Sequence, residues 1–124
     1  MATNTREVLA KTADYTVTGA DEGALITNRG AGGAVVVTLP AQSAVPVGFW
    51  VQVYCAAAQN LTVQTATVDT LVQDGDLNTD SIGWVTGSHQ VGNGGTFVAD
   101  GTGWLYFANV AATTTTIATQ TLTT

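Results

Sequence analysis

The segment from Gly33 to Ala66 constrains the fold most, because three apolar, β-branched or aromatic runs follow one another there: GAVVVTLP, VGFWVQVYCA and NLTVQTA. Runs of this length and composition predict strands. Side chains alternate across a strand, so every second residue of a run lies on the same face. The two rows that we predict as the core are Val35, Val37 and Leu39, and Phe49, Val51, Val53 and Cys55.

The rest of the chain reads as shorter strands joined by glycine turns. ADYTV, ALITN, Asn60–Ala66 and Asp69–Gln73 are predicted strands, and Thr96–Asp100 and Trp104–Val110 are predicted to form a hairpin across the turn DGTG. With about eight to ten short antiparallel strands and no convincing helix, the sequence predicts an all-β fold, either a single-domain β-sandwich or a small barrel.

The length of 124 residues predicts one domain with polar ends. We divide the chain into an N-terminal arm (1–12), a β-domain (13–110) and a Thr-rich, extended C-terminal tail (111–124). Ile117 and Leu122 are the only large apolar residues of this tail. A lone strand is unstable in water, so the tail needs a sheet edge, either in its own domain or in a neighbouring subunit.

Charge argues against two classes of partner. The net charge is −6, and the only cations are Arg6, Lys11 and Arg29, too few for a phosphate-binding surface. We therefore expect no nucleic-acid partner, and no apolar stretch reaches the length of a membrane span. Charged residues make up only 10% of the chain, which leaves few to protect strand edges and is a first indication of assembly. The single cysteine, Cys55, is predicted to be a buried, inert thiol.

The segment from Asp74 to Gly95 is the least regular, and we predict a surface excursion with a short hairpin around Trp84 and Val85. Oxygen-bearing side chains alternate at its start, as in a calcium loop. The weak metal-site candidates are Asp74, Asp76, Asn78 and Asp80. Thr79 stands where an EF-hand needs glycine, and Val85 where it needs glutamate. The pattern favours a solvated acidic loop, and we expect that folding does not require calcium.

No residue set indicates catalysis. His89 is not accompanied by a cysteine or a second histidine that would make a zinc site, and a Ser-His-Asp arrangement with Ser88 or Ser81 lacks a nucleophile elbow. The glycine groups GAGG and GNGG match no phosphate-binding loop. We predict a protein that is not an enzyme, with no catalytic residue and no cofactor.

Trp50, Gln52 and Tyr54 occupy the face of their strand opposite the core row. Trp50 and Tyr54 either cover a second layer of the same domain or meet a partner, because aromatic side chains with a polar edge suit interfaces. With Ile117 and Leu122 of the tail, they are the interface candidates.

Several stretches resemble small β-modules that recur in structural proteins of tailed bacteriophages. The resemblance covers approximately residues 13–108. In such modules a strand ending in Thr, an Asp-x-Gly turn, a Thr-Asn-x-Gly-Ala loop and a Val-rich strand ending in Leu-Pro follow in that order, and a hairpin closes the module. The matching positions are Thr18, Asp21 with Gly23, Thr27–Ala31, Val35–Pro40 and the turn Asp100–Trp104.

The resemblance implies a virion structural protein: a capsid decoration or cement protein, a head-fibre base, or a tail-fibre or adaptor module. Such modules often assemble as trimers, so we expect a homotrimer that is made in the host cytoplasm. A compact module without a stalk or repeat favours a capsid decoration (cement) protein that binds the major capsid protein on the outer surface of a phage head. One alternative is a tail-fibre or receptor-binding module. Another is a carbohydrate-binding domain that uses Trp50, Trp84 or Trp104 as stacking platforms. The resemblance carries over no catalytic or ligand-binding role, and residues 74–95 fit the module least.

Overall fold

A computed structural model of the chain describes residues 5–67, 69–73, 76–86, 90–109 and 120–123. These residues form twelve strands and two short 3-10 turns, Gly19–Asp21 and Gln42–Ala44. The strands are β1 Val8–Ala10, β2 Tyr15–Thr16, β3 Leu25–Thr27, β4 Val35–Thr38, β5 Trp50–Tyr54, β6 Leu61–Gln64, β7 Leu71–Gln73, β8 Asp76–Thr79, β9 Ser81–Trp84, β10 Gly94–Ala99, β11 Trp104–Asn109 and β12 Gln120–Thr123. The prediction of an all-β fold is confirmed.

The strands form two sheets. The larger sheet has seven strands in the order β1-β3-β5-β10-β11-β7-β8, and the smaller has five in the order β12-β9-β6-β4-β2. Neither sheet closes on itself. No helix among the described residues is long and apolar enough to cross a membrane.

The prediction of purely antiparallel strands is wrong. Five strand pairs are parallel: β1 with β3, β3 with β5, β2 with β4, β4 with β6, and β7 with β11. For four of these pairs the physical reason is the winding of the first half of the chain, in which β1 to β6 alternate strictly between the larger and the smaller sheet. Each short connection crosses to the other sheet, so the next strand to return runs in the original direction beside its predecessor.

Both predicted core rows are buried, as is Cys55 at the end of the second row. Buried side chains of the two sheets belong to one hydrophobic cluster. The rings of Trp84 from β9 and Tyr106 from β11 lie 6.2 Å apart between centroids, which joins the sheets directly. The Tyr106 ring fits because it lies against Gly95 of the neighbouring strand, where a Cβ atom would come within 2.1 Å of the ring. The core therefore lies between the inner faces of the sheets.

The predicted hairpin near the end of the domain is confirmed, with β10 and β11 paired antiparallel from Gly94–Asn109 to Ala99–Trp104. The prediction of a surface excursion from Asp74 to Gly95 is wrong. β8 and β9 lie in this segment, and Ile82 and Trp84 are fully buried. Ser81–Trp84 belongs to the smaller sheet because apolar side chains at alternate positions face the core beside Leu61 and Val63.

Both ends of the chain contribute strands. Within the predicted arm, Val8–Ala10 form β1 and pair in parallel with Leu25–Thr27. Within the predicted tail, Gln120–Thr123 form β12 and pair antiparallel with β9, so that Leu122 stands in register with Ile82. Ile117 lies outside the described residues.

Candidate functional site

Asp21, at the turn after β2, is a buried carboxylate that holds local structure. Its Oδ2 accepts the hydroxyl hydrogen of Tyr15 at 2.5 Å and the backbone N–H of Thr18 at 2.9 Å. The hydrogen bond to this carboxylate, together with burial, raises the pKa of Tyr15 to about 12. Both contacts lie within the β2 turn, so the matched Thr18–Asp21 motif fixes the edge of the smaller sheet.

Asn28, in the loop after β3, is fully buried. Its Oδ1 accepts the backbone N–H groups of Ala56 at 2.7 Å and Ala57 at 3.0 Å, and its Nδ2 donates to the carbonyl of Ala57 at 3.4 Å. One side chain thus satisfies backbone groups of the connection between β5 and β6. Asn28, the asparagine of the matched Thr-Asn-x-Gly-Ala loop, therefore connects the β3–β4 loop to the β5–β6 loop, and both loops cross between the sheets.

A second buried amide, Gln90, closes the same end of the domain. Its Nε2 donates to the carbonyls of Gln59 at 2.5 Å and Trp84 at 3.2 Å, and lies 3.7 Å from the sulfur of Cys55. Burial raises the pKa of the Cys55 thiol to about 11, so the thiolate is scarce near neutral pH. The predicted burial of Cys55 is confirmed, and the inertness of its thiol stays a prediction.

Asp100 organises the hairpin turn between β10 and β11. Its Oδ1 accepts the backbone N–H groups of Thr102 and Gly103, each at 2.9 Å, and these bonds lower the pKa of the carboxyl. Gly101, which follows Asp100 in the turn, has a φ of +92°, which a residue with a side chain rarely adopts. The matched Asp-Gly-x-Gly turn is therefore a structural element.

Among the described residues, the candidate metal ligands of the acidic segment do not form a site. Asp74 lies outside them, Asp76 begins β8, and Asn78 and Asp80 are exposed. A strand places alternate residues about 6.6 Å apart, whereas a calcium loop curls to hold its oxygens about 2.3–2.6 Å from one ion. Among the described residues there is no group of three or more His, Cys, Asp or Glu side chains that could hold a metal ion.

The remaining polar candidates form no shared site. Ser81 belongs to β9, while Ser88 and His89 lie outside the described residues. Asp80 and Ser81 line a groove of about 350 Å³ with Gln64, Thr65, Ala66 and Thr67. Asp80 is the one ionisable side chain of this lining, so the groove lacks the paired groups of an acid–base site.

The three tryptophans differ in exposure. Trp84 and Trp104 are fully buried, which removes them as stacking platforms for a carbohydrate. Trp50 is half-buried on the outer face of β5, and the guanidinium carbon of Arg6 lies 5.0 Å from its ring centroid. Arg6 also donates to Gln52 Oε1 at 2.6 Å and to the carbonyl of Gly23 at 3.0 Å. The N-terminal segment thereby covers part of Trp50.

The outer face of the larger sheet carries apolar side chains on five neighbouring strands. Register aligns one row through Leu25, Gln52, Thr96 and Phe107, and a second through Trp50, Val98, Leu105 and Val72. Tyr54 lies beyond the first row on β5 and is 36% exposed, and Phe107 is 56% exposed. We call these nine residues the outer apolar face. Sequence reasoning placed Trp50 and Tyr54 on it but missed Leu25, Val98, Leu105 and Phe107, because the order of the strands is not readable from the chain.

Comparison with protein-family models finds no match, and comparison with curated proteins finds no similar protein. The functional interpretation therefore depends on the residues themselves and on the motifs in which they occur.

Proposed function

We propose that the protein is a non-enzymatic virion structural protein, a capsid decoration protein that binds the major capsid protein on the outer surface of a phage head. In this proposal the two sheets form a β-sandwich, and the chain acts as a homotrimer. It is made in the host cytoplasm and resides in the virion. The proposal uses no metal and no cofactor.

One observation carries the proposal: three polar residues of the motifs that resemble the phage modules serve the scaffold. Asp21, Asn28 and Asp100 each bond backbone groups of nearby loops. What the described surface offers a partner is instead the outer apolar face. A protein that presents a broad sheet face on rigid, tied loops fits binding to a large surface better than the turnover of a small substrate.

A tail-fibre or receptor-binding module uses the same kind of scaffold, and it remains the alternative. The carbohydrate-binding alternative is weakened, because two of its three proposed platforms are fully buried and the third lies beneath Arg6.

Fractionation of purified virions tests the proposal. A decoration protein should be found on heads in hundreds of copies, and it should bind purified capsids that lack it, with a stoichiometry set by the capsid lattice. Recovery in a few copies on tails would favour the fibre alternative. Its absence from virions would refute both.

We also propose that residues 112–124 fasten the assembly. Within one chain, β12 completes the edge of the smaller sheet through backbone pairing with β9. The same pairing can be made by the tail of a neighbouring copy, since exchange of an identical element preserves every contact. Deletion of residues 113–124 should leave the β10–β11 hairpin folded but weaken retention on capsids. Unchanged retention would show that the tail has no fastening role.

A further inference from the structure

The groove of about 350 Å³ that Asp80 and Ser81 line is a concave site to which the proposed function assigns no role. We call it the Asp80 groove. It lies at the end of the β6–β9 ladder, where Gln64 pairs with Ser81 and the backbone passes between the sheets twice, from β6 to β7 and from β8 to β9. Small-molecule sites have volumes of about 300–1,000 Å³, so the groove is large enough for a small ligand or a single side chain.

The polar side chains of the Asp80 groove supply mainly hydrogen-bond acceptors. Gln64 Nε2 donates to Thr38 Oγ1 at 2.9 Å, which leaves Gln64 Oε1 as an acceptor. Within the described part of the chain, the side chains of Thr67, Asp80 and Ser81 make no hydrogen bond. A carboxylate can only accept hydrogen bonds, and a hydroxyl oxygen has two lone pairs for accepting them. The groove therefore fits a ligand that is rich in donors.

A second carboxylate beside the Asp80 groove adds to its negative potential. Thr65 Oγ1 lies 3.1 Å from the carbonyl oxygen of Asp69 and 3.2 Å from that of Asp80, so both acidic residues contact the same residue of the lining. Asp69 is buried, and its Oδ2 accepts the backbone N–H of Gln42 at 2.7 Å. Neither carboxylate forms an ion pair with a cation of the described residues. In a chain with a net charge of −6, this arrangement favours a cationic ligand and opposes an anionic one.

The composition of the lining favours an organic cation over a metal ion. Calcium takes about six to eight oxygen ligands, whereas the described residues contain no group of three or more His, Cys, Asp or Glu side chains that could hold an ion. An ammonium group has three N–H donors, which match one carboxylate and two neutral acceptors. Thr65, Ala66 and Thr67 carry methyl groups, and the alkyl stem of an amine can pack on such groups while its head stays in water.

We propose that the Asp80 groove binds a primary alkylammonium group, carried either by a lysine side chain of a protein partner or by a free amine. In this proposal the Asp80 carboxylate accepts one N–H of the ammonium head, and Gln64 Oε1 and the hydroxyl oxygens of the lining accept the others. The proposal goes beyond the proposed function and needs no capsid, so either can fail while the other stands.

Titration of the full-length chain with n-butylammonium chloride, followed by amide NMR shifts at constant ionic strength, tests the proposal. The shifts should concentrate at residues 64–67 and 80–81 and saturate in the millimolar range, because one exposed ion pair contributes little affinity. Two probes separate charge from hydrogen bonding. n-Butanol has the same stem without the charge, and tetramethylammonium has the charge without an N–H donor. Each should bind at least about fivefold more weakly, since each lacks the charge-assisted hydrogen bond.

Asp80→Asn removes the charge at constant shape. It should raise the dissociation constant for n-butylammonium about fivefold or more without affecting folding, because no hydrogen bond within the described residues uses this carboxylate. Glu7→Gln is the matched control, because it makes the same charge change at an exposed position beside β1. β1 and β8 are opposite edges of the larger sheet, about 29 Å apart across six strand spacings, and salt screens charges beyond about 10 Å. The control should therefore leave the constant within about twofold of the wild-type value.

A blocked peptide with one lysine distinguishes the two sources of the ammonium group. Tighter binding of the peptide than of n-butylammonium supports a protein partner, and equal or weaker binding supports a free amine. The proposal is overturned if n-butylammonium shifts no amide of residues 64–67 or 80–81, or if n-butanol or tetramethylammonium binds equally well. It is also overturned if the Asp80 and Glu7 variants weaken binding equally, which would indicate net charge alone, or if calcium chloride shifts the same amides at a lower concentration, which would indicate a metal site.

Discussion

The outer faces of the two sheets differ far more than their inner faces. Both inner faces are apolar and enter one cluster. The outer positions of the smaller sheet are mainly hydroxyl and amide side chains: Thr16, Thr38, Thr62, Gln64 and Ser81, with Val36 the apolar exception. The outer positions of the larger sheet are mainly aromatic and aliphatic.

Hydrogen bonding explains how the smaller sheet remains solvated. Gln64 Nε2 donates to Thr38 Oγ1 at 2.9 Å across neighbouring strands, and both groups can also bond water. The aromatic rings and methyl groups on the outer face of the larger sheet cannot be solvated in this way. The comparison teaches that the two kinds of face carry different information. An inner face is apolar because folding buries it, whereas an apolar outer face indicates a surface that the protein uses for contact.

The largest expected effect separates inner from outer positions. Phe97→Ala removes a fully buried ring from β10 and should cost about 3–5 kcal/mol of unfolding free energy. Phe107→Ala makes the same chemical change on the outer face of β11. It should cost less than about 1 kcal/mol at a concentration where the chain is monomeric. Denaturant unfolding of both variants measures the difference, and similar costs would mean that the outer face is covered within the single chain.

The next effect concerns the loops that connect the sheets. Asn28→Ala leaves the N–H groups of Ala56 and Ala57 without their acceptor in a buried place, which should cost about 2–3 kcal/mol. Asn60→Ala is the control, because Asn60 Oδ1 accepts the N–H of Thr86 at 2.9 Å at an exposed position. Its loss should cost less than about 1 kcal/mol, since water replaces the bond.

Equal costs for the two asparagine variants would contradict the structural role assigned to Asn28. The control also distinguishes that role from a general effect of removing a loop amide, because both variants delete the same chemical group.

Sequence reasoning predicted the parts of this fold that depend on local patterns. Alternation located the core rows, and the Asp-Gly turn located the hairpin, because both signals lie within a few consecutive residues. The parallel pairings were missed because a short loop that crosses between sheets has the same composition as a hairpin loop. Trp84 was misplaced on the surface for a related reason: its partners Leu61 and Tyr106 are far away in the sequence.

The candidate surface was predictable only in part. Alternation put Trp50 and Tyr54 opposite the core, but the face as a whole depends on β10 lying between β5 and β11. That order brings Val98 and Leu105 beside Trp50, and it is a property of the tertiary fold alone. The acidic segment shows the opposite error, in which the sequence suggests a site that the fold does not form. Its alternating oxygen-bearing side chains could surround one ion only if the backbone curled, but residues 76–79 form an extended strand.

A smaller effect is expected from the two cation–ring contacts, one on each sheet. Arg6 lies over Trp50 of the larger sheet and makes three hydrogen bonds, whereas Lys11 Nζ lies 3.9 Å from the ring centroid of Tyr15 of the smaller sheet. Arg6→Ala should cost about 1–2 kcal/mol, because it removes both a cation–π contact and charge-assisted bonds. Lys11→Ala should cost about 0.5 kcal/mol from the ring contact alone. The reverse order, measured by denaturant unfolding, would show that β1 is held by its ladder and not by Arg6.

The smallest effect is a pH dependence at the edge of the smaller sheet. The hydrogen bond to Asp21 raises the pKa of Tyr15 to about 12, above the value of about 10 for an unfolded tyrosine. The neutral hydroxyl is therefore favoured by folding. Its contribution to stability is complete below about pH 10 and is lost as the pH rises through about 12.

Tyr15→Phe should accordingly be less stable than the wild type near neutral pH, and the difference should shrink between about pH 10 and pH 12. Asp21→Asn keeps an acceptor oxygen but removes the charge, so it should bring the titration of Tyr15 back toward about 10. Tyrosinate absorbance measures that titration, and unfolding at several pH values measures the stability. A constant stability difference across this range would mean that Tyr15 acts through packing alone, and that the Tyr15–Asp21 hydrogen bond does not hold β2 at the edge of the sheet.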